Sequence, residues 1–186
     1  MSEIKNSKTS ATETTDDLKS RGDTRSQRPT SQAFLDFLTQ GWDETRPPSG
    51  RRAVADYTPA RRDSLVETMP ATRMVLPAGG LKVRSNDCDY QFRPHTAFAY
   101  YSGLRTDEEP DSVFVVEPDA DRPGKSRATY FFKPRSGPET NEFFADSRYG
   151  EMWVGRRPTL EEVEEQIGVP CRHFDDLTDA PAKEFG

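Results

Sequence analysis

Residues 112–134 read SVFVVEPDADRPGKSRATYFFKP. Two runs of β-branched and aromatic residues, 112–118 and 128–134, enclose the segment PDADRPGKS at 118–126. Val, Phe and Tyr suit a pleated, half-buried surface, while Pro, Asp and Gly supply the backbone angles of a turn. The stretch predicts a β-hairpin. Two further runs have the same character: RMVLPAG at 73–79, ended by Pro and Gly, and AFAYYSG at 97–103, ended by Gly. Both are expected to be strands.

Helical periods lie on either side of these runs. Ser31 can cap a helix in which Phe34, Leu35, Phe37 and Leu38 follow at helical spacing, with Gly41 as its stop. Trp42 comes next, then the loop DETRPPSG. A second helix is predicted from Thr58 to Thr68, with Pro59 in its first turn and Leu65, Val66 and Met69 on its apolar side. Arg61 and Arg62 are expected on its solvated face. The clearest helix is TLEEVEEQIG at 159–168. Thr159 and Glu162 make a capping box, Leu160, Val163 and Ile167 line one side, and Gly168 ends it. The order is therefore helices, several strands, then a helix. That order implies an α/β class with helices flanking a mixed or mostly antiparallel sheet.

Composition bounds the remainder. Of 186 residues only 32% are hydrophobic, and 15 are Pro and 12 Gly. Residues 1–30 contain eleven Ser or Thr and bury too little apolar surface to offset ordering, so they are expected to form a disordered polar tail. The RGD at 21–23 is read as chance. Residues 31–56 are assigned to a helix and linker, and 57–186 to the folded domain. With 26 Lys or Arg against 32 Asp or Glu, the net charge is −6, which argues against general nucleic-acid binding. No apolar run is long enough for a membrane helix, and the N-terminus lacks the apolar core of a secretory signal. Two cysteines give no disulfide framework. A cytoplasmic location is expected.

Candidate chemistry is sparse. Cys88, His95, Cys171 and His173 could together form a tetrahedral zinc site, but the CRH spacing is tighter than common ligand pairs. The plainer reading is a buried thiol and exposed imidazoles. A Cys–His nucleophilic pair is open on paper. PAGG at 77–80 lacks the lysine and spacing of a phosphate cradle. Asp87 and Asp89 would share one face of a strand, where one could act as acid or base. Such carboxylates more often pair with arginines, here Arg84 or Arg93, and fix a loop. In EMWVGRRP at 151–158, Trp153 either plugs a core or engages a partner, and composition leaves both open.

Two stretches taken together decide more. RSNDCDYQFRPHTAFAYYSGL at 84–104 and MWVGRRPTLEEVEEQIGV at 152–169 resemble the N-terminal domain of the Xaa-Pro aminopeptidases, or aminopeptidase P. The resemblance rests on Arg84-Ser85, Asp87, Tyr90, Phe92-Arg93, Phe98, Tyr100 and Gly103, then Trp153, Gly155, Arg156 and Arg157, and covers about 57–170. ARRDSLVETMP and MVLPAGG upstream fit its first helix and strand. Prolidase and creatinase share the layout and are the near alternatives.

The resemblance implies a two-domain enzyme that releases the residue before a proline. Its C-terminal domain would hold two manganese ions on two Asp, one His and two Glu, and a bridging hydroxide would attack. None of those ligands matches a position here, so the domain at 57–186 is expected to be unfinished and the chain alone inactive. The resemblance further implies that Trp153 reaches a neighbouring subunit's substrate pocket, and that Asp87 stands near that contact. Tyr90, Phe92, Phe98 and Tyr100 are read as core and interface packing. The implied partners are proline-containing peptides and further copies of the chain, as a homodimer or homotetramer. A free-standing, non-catalytic binding or oligomerisation module is the competing class.

Overall fold

The computed structural model describes residues 32–42, 50–86, 88–106 and 108–179. The tail at 1–30, the cap at Ser31 and Asp87 lie outside the described residues. The chain divides into two compact units, one of 43–136 with 155–186 and one of 1–42 with 137–154.

The first unit is built on a four-stranded sheet in the order β1-β4-β5-β6: β1 (Met74–Pro77), β4 (Val113–Pro118), β5 (Ser126–Phe132) and β6 (Cys171–His173). β1–β4 and β4–β5 are antiparallel, and β5–β6 is parallel. The expected hairpin is present, with Val113 opposite Phe131 and Pro118 opposite Ser126. A separate ribbon pairs β2 (Val83–Ser85) with β3 (Cys88–Asp89). The mixed sheet with flanking helices is the architecture that the alternation of runs implied.

Strand alternation sorts the core. Phe114, Val116, Tyr130 and Phe132 face one side, where Val66 of α2 (Thr58–Thr68), Phe98 of α3 (Thr96–Ser102) and Val163 and Ile167 of α6 (Leu160–Ile167) cover them. Val113, Val115 and Phe131 face the other side, under Phe174 and Leu177 of a 3-10 helix at Phe174–Asp179. Helix α6 starts on the predicted capping box: Thr159 Oγ1 accepts from the Glu162 amide at 3.2 Å, and Glu162 Oε2 accepts from the Thr159 amide at 3.0 Å. Gly168 closes it in the left-handed conformation.

Two expectations fail here. Residues 97–103 are not a strand but α3, closed by Gly103. Phe98 and Ser102, four apart, are the buried positions, while Tyr100 is exposed, which is helical and not alternating burial. Arg62 is not solvated but 5% exposed. Its Nη1 donates to the Tyr101 carbonyl at 3.0 Å, and Arg61 Nη1 donates to the Tyr100 carbonyl at 2.9 Å. The last carbonyls of α3 have no partners within the helix and carry its negative end, so two neighbouring cations from α2 complete it. Arg62 also lies 5.7 Å from the centre of the Phe114 ring. Burial lowers its pKa to about 10, which still leaves the guanidinium charged at neutral pH.

The second unit contains α1 (Gln32–Leu38), α4 (Asn141–Ala145) and α5 (Glu151–Val154). Trp42 meets Phe143 edge-to-face at 4.7 Å between centroids. Asp146 Oδ1 accepts from the amides of Arg148 and Tyr149 at 2.8 and 3.0 Å, turning the chain between α4 and α5. A Cβ at Gly150 would stand 2.3 Å from the Asp146 carbonyl oxygen, so that close approach requires glycine.

Candidate functional site

Trp153 sits on the one-turn helix α5. Its amide donates to the Gly150 carbonyl at 2.9 Å, and its indole Nε1 donates to the Phe144 carbonyl at 2.9 Å. One edge of the ring is thereby tied to α4, yet the residue is 58% exposed. Met152 and Val154 beside it are also exposed. A fixed, exposed indole with its donor satisfied offers a bare aromatic surface. Of the two roles open to Trp153, core plug or exposed surface, the geometry selects the second.

The arginines that follow it belong to the sheet-bearing unit and are structural. Arg156 grips Glu162 with Nη1 and Nη2 at 3.0 and 2.6 Å, on the carboxylate that also closes the α6 capping box. Arg157, 4% exposed, donates through Nε and Nη2 to Glu109 Oε2 at 3.1 and 2.7 Å. It also reaches the Lys133 and Pro134 carbonyls. The neighbouring Glu108 pairs with Arg52, whose Nε donates to Gln166 Oε1 at 2.9 Å. The loop before β4 is thus held through two adjacent glutamates by arginines from separate segments.

Asp87 lies outside the described residues. Around it, Arg84, Ser85, Cys88, Asp89 and Tyr90 are exposed, and Asn86 has φ 21°. Arg93 is exposed as well, and Asp89 has no ion-pair partner among the described residues. Of the aromatics in this motif, Phe92 and Phe98 lie in the core, whereas Tyr90 and Tyr100 face outward.

The zinc candidates do not assemble. Among the described residues no three His, Cys, Asp or Glu gather where they could hold a metal ion. Cys88 is exposed on β3, and Cys171 is half-buried on β6 with its thiol 3.4 Å from the Val169 carbonyl. Burial, with Glu164 and Glu161 nearby, pushes the Cys171 thiol up to about 12, so it is a poor nucleophile. The His95 ring packs against Gly79, and His173 Nδ1 accepts from the Asp175 amide at 3.2 Å. No helix among the described residues is long and apolar enough to cross a membrane.

Sequence reading missed what Arg62 and Arg157 do. Each serves backbone carbonyls distant in sequence, and no local spacing announces that.

Comparisons with known proteins agree with this architecture. The family described as "Aminopeptidase P, N-terminal domain" matches residues 58–184. Xaa-Pro aminopeptidase 1 of Streptomyces coelicolor is 39% identical over 148 residues, which is 79% of this chain and 29% of that relative. The structure of aminopeptidase P from Escherichia coli superposes with a TM-score of 0.51 at 26% identity, covering 66% of this chain and 25% of that one. Proline aminopeptidase P II from Yersinia pestis gives a TM-score of 0.51 at 23% identity over 67% of this chain and 26% of its own, a likeness of fold.

Proposed function

The chain belongs to the family of aminopeptidase P N-terminal domains, and from that premise we propose that it is the oligomerisation and substrate-access part of a manganese-dependent Xaa-Pro aminopeptidase. The chain spans 29% of the length of the Streptomyces relative. In this reading the reaction belongs to the remaining length, where a two-metal site would supply the activated water used against the bond before proline. Among the described residues no three His, Cys, Asp or Glu gather where they could hold a metal ion, and in this reading the chemical step lies outside this chain. Its contribution is binding and positioning.

The observation that carries the reading is the Trp153 indole, 58% exposed and held by its N–H on the Phe144 carbonyl. Such a ring can stack on a proline ring or a neighbouring side chain, and its fixed edge limits the entropy lost on contact. Trp153 would act on the substrate pocket of a second copy, with Asp87 close to that contact. The test is Trp153→Ala in the full-length enzyme. Activity on an Xaa-Pro peptide should fall at least about tenfold with manganese content intact. Unchanged kinetics would remove Trp153 from the site. The 186-residue chain supplied with manganese should release nothing from the same peptide.

A further inference from the structure

The helical unit leaves an aromatic surface bare. Phe34 and Phe37, three apart on α1, stack at 6.5 Å between centroids and are 46% and 68% exposed. Trp42 follows, 41% exposed, with its indole Nε1 donating to the Leu38 carbonyl. Its ring meets Phe143 of α4, and the next residue on α4, Phe144, holds the Trp153 indole through its carbonyl. Each of these contacts lies within one compact unit, and both tryptophans of the chain take part. α1 and Trp42 precede residues 58–184, the part that matches the family.

Helix α1 has seven residues, too few to persist in water unless an apolar face is packed. Its two phenylalanines are exposed instead. At roughly 200 Å² for an aromatic side chain, the four exposed aromatics with Met152 and Val154 leave on the order of 500 Å² of apolar surface bare. A patch of that size on a soluble chain marks an interaction site. Both indole N–H groups are engaged by backbone carbonyls, so neither is left to donate to a partner. What fits such a face is another bare apolar face, and a second copy supplies one. Two copies face to face would bury about 1,000 Å² in total, where specific interfaces begin. α1, QAFLDFL, carries Asp36 and no Lys or Arg, unlike helices that lie on anionic membranes.

We propose that Phe34, Phe37 and Trp42 extend the Trp153 surface into one apolar face that packs against the same face of a second copy. The pairing is isologous, each copy giving and receiving the same residues. α1 supplies apolar area that holds Trp153 at its neighbour. That purpose rests on the role of Trp153 given above; the surface itself rests on the contacts within the helical unit.

The test is sedimentation velocity with intrinsic tryptophan fluorescence on the whole 186-residue chain. As concentration rises through the micromolar range the mass should double. The emission should shift to the blue and iodide quenching should fall, because both tryptophans enter the contact. Phe37→Ser should weaken association at least about tenfold without lowering the thermal midpoint, since the ring lies outside the core. Phe37→Leu keeps apolar area and should retain most of the affinity. Tyr100→Ser, at an exposed aromatic of the sheet-bearing unit, should change nothing. A chain that stays monomeric, association unmoved by Phe37→Ser, or tryptophans protected only by anionic vesicles overturns the proposal. Trp153→Ala kinetics in the full-length enzyme separate the two ideas. Association without a kinetic effect leaves the surface and removes its purpose; a kinetic effect in a chain that stays monomeric does the reverse.

Discussion

Arg156 and Glu162 meet through two hydrogen bonds, at 3.0 and 2.6 Å, on a carboxylate side chain only 4% exposed. The same carboxylate accepts from the Thr159 amide. One side chain therefore starts a helix and anchors the chain that leads into it.

Glu162→Ala should consequently cost about 3 kcal/mol in urea unfolding, because it removes the two-point ion pair with Arg156 and opens the cap. Thr159→Ala should cost ~1 kcal/mol. The double variant should lose less than the sum, since both changes act through one carboxylate. Additive losses would show that the ion pair and the cap are independent.

The two arginines that close α3 should differ in weight. Arg62→Ala removes a buried cation that serves both the Tyr101 carbonyl and the Phe114 ring, and should destabilise by ~2 kcal/mol. Arg61→Ala, at a more exposed position, should cost less than ~1 kcal/mol. Amide exchange along α3 should quicken more in the first variant than in the second. Equal effects would mean that burial adds nothing to the cap.

Acid should act on the junction of α2 with the hairpin turn. Burial raises the Asp63 carboxyl, but hydrogen bonds from Lys125 and from the Ser126 amide and hydroxyl outweigh it and hold the group below its ordinary value. A depressed folded pKa contributes stability that is present above the unfolded value, about 3.9, and is lost as pH falls further. Asp63→Asn should therefore lower stability at pH 7 and flatten its decline below pH ~4. An unchanged acid limb in the variant would place the sensitivity elsewhere, with Asp119, whose carboxyl the Arg122 hydrogen bond lowers, as the next group to replace.

The two thiols should separate cleanly. At pH 8 iodoacetamide should modify the exposed Cys88 at least about a hundredfold faster than Cys171, which burial holds protonated. Peptide mass mapping of a time course reads this directly. Equal rates would show that β6 opens readily.

Where the sequence carried its own geometry, the reading survived. The hairpin at 112–134, the capping box of Thr159 and Glu162 and the helix from Thr58 were legible because each is specified by neighbours in the chain. AFAYYSG was misread because a short aromatic run has no clear period. Its helix is settled by Gly103 and by two arginines some forty residues earlier, supplied through tertiary contacts. CRH at 171–173, read only for its ligand spacing, is a strand because β5 offers it an edge. Trp153 stood out by its chemistry, but its exposure and its tether to Phe144 belong to the fold of 137–154, whose short helices leave almost no periodic trace.

The parallel pairing of Tyr130 with Cys171 has a kinetic consequence. It joins residues roughly forty apart, so the loop-closure entropy is large for a strand of three residues, while the antiparallel hairpin beside it closes over a short turn. β6 should dock after the barrier is crossed. Substitutions in Cys171–His173 would then leave the folding rate almost unchanged and speed unfolding, making this edge the place where the lifetime of the native state is set.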